Sequence, residues 1–290
     1  MKEKQSIHFT KMQGAGNNYI YIDSLGSPES VNLRELSLPD LSRRISDKNF
    51  GIGSDGLIVI SPSSNADFFM RIFNADGSEA QMCGNGIRCV AKYVYDKGFT
   101  TKEDFSIETL GGIKKVSIKL EEGEVKSVKV DMGKARLKRK DIPAKGEEES
   151  EMINEKVKVG DQTFRLHGIG MGNPHGVIFV ETIEDEHIFT YGPLLEKADI
   201  WPEKANIEFI EILDKNKIKM RVWERGSGET YACGTGACAS VVAAYLEGLV
   251  DNEVEVLLKG GKLKIKYKPE TREVVMMGGA ETIAEGDFFI

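Results

Sequence analysis

The sequence predicts an α+β protein of two pseudo-symmetric halves, each a mainly antiparallel β-sheet wrapped around a central α-helix. Three observations support this fold class: an internal repeat, apolar residues that alternate along strand-like segments, and helical periodicity directly after each copy of the repeat. The predicted halves are residues 1–127, to which a C-terminal strand at 279–290 returns, and residues 128–278. A pseudo-twofold relation between the halves predicts a shared cleft.

The repeat joins residues 70–86 to residues 220–236, 150 positions later, without a gap. A shorter repeat precedes it, since Gly-Ala-Gly-Asn at residues 14–17 matches Gly-Met-Gly-Asn at residues 170–173. The shared order of the two signals indicates that one unit was duplicated. The longer copies share Met70 and Met220, Arg71 and Arg221, Glu79 and Glu229, Cys83 and Cys233, and the glycines of both Cys-Gly-x-Gly turns.

The individual elements follow from apolar spacing along the chain. Helices are predicted near residues 39–47, where a proline stands early, and after each Cys-Gly-x-Gly turn, where an apolar stripe ends at Gly98 and at Gly248. The acidic stretch 143–151 is predicted to be an exposed connection. Strands are predicted at residues 19–22, 116–120, 128–130, 177–180 and 263–267.

Composition narrows the class of protein. The 290 residues are 40% hydrophobic and 29% charged, as in globular proteins, and the net charge of −7 disfavours nucleic acid and anionic membranes as partners. The polar start and the absence of a long apolar run predict a soluble, cytoplasmic protein. The four cysteines are spaced unlike zinc ligands, so free thiols and no metal are expected.

Cys83 and Cys233 each stand where a strand ends, a glycine turn follows and a helix begins. A thiol at a helix N-terminus feels the positive end of the helix dipole, which predicts a lowered pKa and a competent acid or base. The unpaired amides of residues 84–85 and 234–235 form an anion site suited to a carboxylate. Cys89 and Cys238 fall inside the helices and are predicted to be buried.

Two such turns facing one cleft would place a substrate carbon between two sulfurs. A thiolate could then remove a proton from one face while a thiol delivers a proton to the other, which inverts a stereocentre without a cofactor. Amide donors at the two helix starts could stabilise the carbanion as its carboxylate becomes enolate-like. The expected reaction is therefore a cofactor-independent epimerisation or racemisation.

Five motifs together resemble the diaminopimelate epimerase family. They are residues 9–17, 74–79, 82–89, 170–175 (Gly-Met-Gly-Asn-Pro-His) and 224–236 (Glu-Arg-Gly-Ser-Gly-Glu-Thr-Tyr-Ala-Cys-Gly-Thr-Gly). The resemblance implies an epimerase independent of pyridoxal phosphate, which interconverts LL- and meso-2,6-diaminopimelate in lysine biosynthesis. It also implies a homodimer, and it implies that the molecule each subunit binds is this small amino acid.

The resemblance also implies roles for individual residues. Cys83 and Cys233 would be the two acid/base residues, and His175 and Glu224 would tune their pKa values or hold the substrate amine. Arg225 suits the distal carboxylate, since Arg binds carboxylates with two parallel hydrogen bonds. Gly56 departs from the Gln of some relatives, and Asp55 and Glu79 are interpreted as turn supports. Substrate contacts fall on Asn17, Asn74, Gly84, Asn85, Asn173, Asn206, Glu224, Arg225, Gly234 and Thr235.

Alternatives of other kinds stay open at this point. A proline or hydroxyproline racemase relative would share the fold and two Cys-Gly-x-Gly turns, although the motifs at 170–175 and 224–236 favour diaminopimelate. A non-catalytic thiol redox or binding protein would pair its cysteines, but the sequence has no Cys-x-x-Cys. A racemase that uses pyridoxal phosphate would need a lysine in a cofactor-like setting, and none stands out.

Overall fold

The computed structural model describes residues 6–26 and 36–290. The chain forms two compact units: the described residues up to Val130 together with Gly278–Ile290, and Asp131–Met277. Within the described residues, no helix has both the length and the apolar character needed to cross a membrane.

The first unit is a curled, mainly antiparallel sheet. Its strands pair in the order β18–β1–β2–β3–β4–β6–β7–β8, with the short β5 on β4; the β2–β3 and β4–β6 pairs are parallel. The strands are β1 (Ser6–Gly14), β2 (Asn17–Asp23), β3 (Gly56–Ser61), β4 (Phe68–Asn74), β5 (Glu79–Ala80), β6 (Asp104–Thr109), β7 (Gly112–Glu121), β8 (Glu124–Lys134, which runs on past Val130) and β18 (Glu281–Phe289).

Two helices of this unit, α1 (Leu38–Ser46) and α2 (Gly84–Asp96), cover the sheet. Helix α2 packs against the neighbouring strands β1 and β2 and also against β7, near the other end of the sheet order, so the sheet wraps around it. Helix α1 packs against β3 and β4, where its Ile45 joins Leu57 and Phe73 in the core. Helix α2 ends before Gly98, whose φ of +74° is the left-handed conformation that glycine adopts after a helix.

The second unit repeats the same order of pairings. Its strands pair as β9–β10–β11–β12–β13–β15–β16–β17, with β14 on β13, and β11–β12 and β13–β15 are the parallel pairs. The strands are β9 (Glu155–Val159), β10 (Gln162–Gly170), β11 (Pro174–Phe179), β12 (Asn206–Asp214), β13 (Lys217–Glu224), β14 (Gly228–Glu229), β15 (Glu253–Leu258), β16 (Gly261–Lys268) and β17 (Glu273–Gly278).

The long helix of this unit, α4 (Gly234–Leu246), lies where α2 lies in the order of the first unit. The short α3 (Gly192–Glu196) follows a π-helical turn at His187–Tyr191. Helix α4 packs against strands β10 to β13, β15 and β16, and its residues 236–244 are all buried. The sequence predicted one apolar stripe on this helix; because the sheet wraps around it, the alanines and Ser240 on its other faces are buried too.

The predicted elements are found in the described residues. The helix expected near 39–47 spans Leu38–Ser46, and Ser37 stands at its N-cap position without a capping side-chain hydrogen bond. The predicted strands at 19–22, 116–120, 128–130 and 263–267 lie within β2, β7, β8 and β16, and the one at 177–180 overlaps β11, which ends one residue earlier at Phe179. Most of the acidic connection at 143–151 is exposed, as expected from its charge.

Candidate active site

Cys83 is the N-cap residue of α2. Its backbone is extended (φ −135°, ψ 115°), and its Sγ accepts a hydrogen bond from the backbone N–H of Gly86 at 3.3 Å. An ideal Cβ at residue 86 would lie 2.6 Å from Cδ1 of Ile58, so the glycine lets this side chain pack closely against the helix start. The sulfur lies against the first turn of α2, and the residue is half-buried.

Asn17 lies beside this sulfur. The Cys83 thiol donates to Oδ1 of Asn17 at 3.4 Å, and the Asn85 amide donates to the same oxygen at 3.4 Å. The Asn17 amide nitrogen in turn donates to Oδ2 of Asp55 at 2.8 Å, and the same oxygen accepts from the backbone N–H of Asn18 at 2.8 Å. Asp55, which the sequence suggested only as a turn support, thus fixes the amide that faces Cys83.

The Arg88 side chain binds residues at the start of α2. The side chain is fully buried; its Nη1 donates to Oδ1 of Asn85 at 3.0 Å and to the carbonyl of Gly84 at 3.1 Å, and its Nε donates to the carbonyl of Gly279 at 3.1 Å. Gly14 makes room for it, because an ideal Cβ at residue 14 would lie 2.9 Å from Nη2 of Arg88. The first glycine of the Gly-Ala-Gly-Asn motif is explained by this packing.

Asn74 and Gly56 lie opposite each other in the β3–β4 register. The Asn74 amide donates to Oγ of Ser78 at 3.0 Å, so the side chain organises the turn at residues 74–78. An ideal Cβ at residue 56 would lie 2.2 Å from the Phe73 carbonyl oxygen and 2.9 Å from the Tyr19 ring, so this backbone admits only glycine.

Tyr19 is a neutral phenol at this site. Burial, together with the neighbouring Cys83, raises the pKa of Tyr19 well above its usual value.

Cys233 repeats this arrangement in the second unit. It is the N-cap of α4 (φ −117°, ψ 109°), and its Sγ accepts from the backbone N–H of Gly236 at 3.4 Å. The Thr235 hydroxyl lies 3.5 Å from the same sulfur. Cys233 is only 4% exposed, more deeply buried than Cys83.

The prediction of a lowered pKa is wrong for Cys233. Burial raises the pKa of this thiol well above its usual value, and the carboxylates of Glu224 and Glu208 raise it further. The hydrogen bonds from Thr235 and Gly236 lower it, but by less. Burial also raises the pKa of Glu224, whose Oε1 accepts a hydrogen bond from the Thr230 hydroxyl.

Asn173 and His175 connect Cys233 to a buried carboxylate. The Asn173 amide nitrogen donates to Oγ1 of Thr235 at 3.4 Å, and its Oδ1 lies 2.9 Å from Nε2 of His175. The other ring nitrogen of His175 lies 2.7 Å from Oε1 of Glu208. His175 and Glu208 are both completely buried.

Asn206, the first residue of β12, and Arg225, which directly follows β13, lie next to this cluster. The Asn206 amide nitrogen donates to the carbonyl of Pro174 at 3.1 Å, and its Oδ1 accepts from the backbone N–H of Arg225 at 2.9 Å. Asn206 therefore ties the start of β11 to the loop after β13. The Arg225 residue is exposed, with Nη1 3.1 Å from the Glu203 carbonyl.

The structure thus groups the expected site residues by unit. Asn17, Gly84 and Asn85 surround Cys83, whereas Asn173, His175, Glu224, Gly234 and Thr235 surround Cys233. Asn74 and Asn206 bind mainly neighbouring turns. Sequence reasoning did not assign site roles to Asp55, Arg88, Glu208 or Thr230. Arg88 stands inside a motif that was noticed, but Glu208 carries no local sequence signal.

Known proteins show which family has this arrangement. The sequence model described as diaminopimelate epimerase matches residues 9–138 and 168–283. A protein of that name from Agathobacter rectalis is 50% identical over 293 aligned residues, which cover 98% of this chain and 100% of the relative. The chain belongs to the diaminopimelate epimerase family. The resemblance drawn from its motifs is confirmed, and the chain is an epimerase of the isomerase class.

Further relatives and solved structures agree with this family and fold. Diaminopimelate epimerases from Bacillus licheniformis and Methanococcus maripaludis are 48% and 47% identical, each over 98% of this chain and at least 99% of the relative. A hydroxyproline epimerase from Agrobacterium vitis superposes with a TM-score of 0.71 at 13% identity, covering 100% of this chain and 94% of that one. A Bacillus anthracis protein of the PhzF family gives 0.66 at 18%, covering 98% and 99%. These likenesses confirm the predicted α+β fold.

Proposed function

We propose that this member of the diaminopimelate epimerase family interconverts LL- and meso-2,6-diaminopimelate, with Cys83 and Cys233 as the two acid/base residues. The observation that carries the proposal is the matched placement of the sulfurs. Each is the N-cap of the long central helix of its unit, and each accepts a hydrogen bond from the backbone N–H three residues later. Cys89 and Cys238, inside the same helices, are completely buried and have no such position.

The reaction is a proton exchange at one α-carbon. One sulfur, as thiolate, takes the α-proton, and the C–H electron pair moves into the adjacent carboxylate to give an enediolate. The other sulfur, as thiol, gives its proton to the opposite face, so the configuration inverts and no cofactor is consumed. The amides of residues 84–85 and 234–235 are the donors we assign to the developing negative charge, because backbone amides at a helix start lie at the positive end of the helix dipole.

Cys233 is the sulfur we assign as the thiol at rest. Its burial and the nearby carboxylates of Glu224 and Glu208 disfavour a negative charge there. When Cys233 starts as the thiol, Cys83 is the base that removes the α-proton. In the reverse direction of the reaction the two sulfurs exchange these roles. Cys233 then has to act as the thiolate, and Glu224, whose own pKa is raised by burial, can take the proton that this sulfur gives up.

Substrate recognition follows from the polar groups around the two sulfurs. Asn17, Asn85 and Asn173 present amide groups beside Cys83 or toward Thr235, and amides can serve both an ammonium and a carboxylate. The exposed guanidinium of Arg225 is assigned to the carboxylate of the amino acid centre that does not react. Asn74 and Asn206 support the loops that present these groups.

We also propose that the enzyme is a cytoplasmic homodimer in the lysine biosynthetic pathway. All four cysteines are free thiols, as a reducing compartment would keep them. Strand β18 exposes Ile283 (52%) and Phe289 (61%), apolar side chains that a second copy of the chain could cover. Light scattering after size-exclusion chromatography should give about twice the chain mass of 32.1 kDa; a mass of one chain would reject the dimer.

The substrate assignment is tested by isotope incorporation. Purified protein is incubated in D2O with LL-diaminopimelate, L-proline or trans-4-hydroxy-L-proline in separate reactions, and α-deuterium is followed by NMR. We expect deuterium to enter diaminopimelate alone. Incorporation into proline or hydroxyproline with none in diaminopimelate would overturn the proposal in favour of a racemase of the same fold.

A further inference from the structure

Glu208 is a buried carboxylate with a specific partner. It lies in β12, in register with Val177 of β11 and Val222 of β13, and its side chain is completely buried. Oε1 lies 2.7 Å from Nδ1 of the equally buried His175, and among the described residues Oε2 has no hydrogen-bond partner. Burial of an acid in this way is costly, so its one strong contact has to be well made.

The contacts of His175 determine which atoms donate and which accept in the hydrogen bonds between His175, Asn173 and Thr235. Oδ1 of Asn173 only accepts hydrogen bonds, and it lies 2.9 Å from Nε2 of His175, so Nε2 carries a proton. With Oδ1 engaged in this way, the Asn173 amide nitrogen faces Thr235 and donates to Oγ1 at 3.4 Å. Because Oγ1 of Thr235 accepts this hydrogen bond, the hydroxyl proton of Thr235 points away from Asn173 and can be donated to another group.

That hydroxyl has Cys233 as its neighbour. Thr235 Oγ1 lies 3.5 Å from Sγ of Cys233, within the range of hydrogen bonds to sulfur. The four contacts form a chain from Glu208 through His175, Asn173 and Thr235 to Cys233, in which each member fixes the orientation of the next. A donor at the end of the chain stabilises the thiolate form of Cys233.

We infer that Glu208 is a positioning residue for the epimerase reaction: through His175 and Asn173 it orients the Thr235 hydroxyl so that it donates to the Cys233 thiolate. The inference rests on the proposed acid/base role of Cys233. The contact between Oε1 and Nδ1 fixes the plane of the His175 ring, so that Nε2 points its proton at Oδ1 of Asn173. The opposite tautomer, with Nε2 bare, would reverse the Asn173 amide and turn the Thr235 hydroxyl toward Asn173.

A simple electrostatic role for Glu208 predicts the opposite effect. As a negative charge near Cys233, Glu208 raises the pKa of that thiol, as Glu224 does from its own side. Removal of a mere charge would therefore lower the pKa of Cys233 and speed its alkylation. Loss of the orienting chain would raise the pKa and slow alkylation. The sign of the change separates the two roles.

The experiment compares E208L, E208Q and wild type by the rate of Cys233 alkylation with iodoacetamide between pH 7 and 10, followed by peptide mass spectrometry. Leu has a similar volume but no polar group, and the Gln amide can still donate to Nδ1. We expect E208L to react about 10-fold more slowly at pH 8, one pKa unit, and E208Q to stay within about 3-fold of wild type. The matched control, E211Q, changes a glutamate of the same strand that binds the Ile183 amide, and it should behave as wild type.

Two results would overturn the inference. One is alkylation in E208L as fast as in wild type or faster. The other is an E208Q rate as low as that of E208L while E211Q is normal. Neither readout needs turnover, so a failure of diaminopimelate epimerisation itself would reject the proposed function and leave these rates interpretable.

A measurement on wild type keeps the test independent of folding in the variants. Nitrogen-15 NMR of protein labelled at its four histidines, assigned with an H175Q variant, reports which ring nitrogen is protonated. We expect His175 to carry a proton on Nε2 at pH 7.5. A bare Nε2 would reverse the chain of hydrogen bonds and overturn the inference.

Discussion

The carboxylate of Glu208 fills the space that a side chain at Gly236 would need. An ideal Cβ on residue 236 would lie 2.5 Å from Oε1 of Glu208 and 3.2 Å from its carboxyl carbon. The same glycine donates its backbone N–H to Sγ of Cys233. The last glycine of the second Cys-Gly-x-Gly turn therefore leaves room for both the buried Glu208 carboxylate and the Cys233 sulfur at the first turn of α4.

G236A should disturb both contacts. The added methyl group has to push Glu208 away from His175, and overpacking of this kind typically costs about 1–3 kcal/mol. We expect a lower free energy of unfolding in urea and a loss of turnover of about 10-fold, which corresponds to about 1.4 kcal/mol in the barrier. G279A is the control, since no atom lies within 4 Å of its ideal Cβ. Normal activity in G236A would show that Glu208 has room to move without consequence.

The four cysteines should differ in reactivity toward iodoacetamide at pH 8. Cys83 is half-buried, whereas Cys233 is 4% exposed with a raised pKa, so Cys83 should react first and Cys233 at least about 10-fold more slowly. Burial raises the pKa of Cys89 to about 11, and Cys238 is completely buried; both should react only after unfolding.

The pH dependence of this reaction has a defined sign. A raised pKa keeps Cys233 as thiol at pH 8, and its alkylation should accelerate as the pH rises through and beyond the usual cysteine value. Mass spectrometry of timed samples gives the order and the pH profile together. Faster labelling of Cys233 than of Cys83 at pH 8 would contradict the assignment of Cys233 as the resting thiol.

C83S and C233S should each lose nearly all turnover with LL-diaminopimelate. An alcohol is a far weaker acid than a thiol, and loss of acid/base catalysis typically costs at least about 100-fold. C238A serves as the control, because this buried cysteine lies inside α4 away from its start. Near-normal rates in either serine variant would remove that cysteine from the mechanism.

R88M should destabilise the first unit. The buried guanidinium binds Asn85 and the carbonyls of Gly84 and Gly279, and its loss removes these hydrogen bonds from the interior at a cost of at least about 2 kcal/mol. R43M is the matched control, since the Arg43 side chain is 50% exposed and its ion pair with Asp40 lies in solvent, so its loss should leave the stability nearly unchanged. Equal unfolding midpoints in urea for the two variants would show that Arg88 is dispensable.

Much of the fold was predictable because its signals are local. Each Cys-Gly-x-Gly turn carries the N-cap, the glycine and the helix that follows, and Gly98 and Gly248 mark where those helices end. The alternating residues of β7 and β16 and the internal repeat specify the two similar sheets. The sequence alone therefore singles out Cys83 and Cys233.

The remaining features depend on contacts between residues distant in sequence. Glu208 looks like any residue of a strand until the β11–β12 register brings it to His175. Asp55 meets Asn17 only because β2 and β3 pair in parallel. The raised pKa of Cys233 depends on how completely the sheet covers the start of α4. Helix-dipole reasoning includes the dipole and leaves out the desolvation that outweighs it.

The two-base mechanism is tested most directly by the isotope pattern of the early reaction in D2O. LL-diaminopimelate is added to wild-type enzyme, and substrate and meso product are separated and analysed by mass spectrometry before product accumulates. Because the sulfur that delivers the proton has exchanged with solvent and differs from the one that removes it, the product should carry deuterium at the inverted carbon while remaining substrate keeps protium. Product that retains the original proton at that carbon would show that a single base returns it, and would contradict the mechanism.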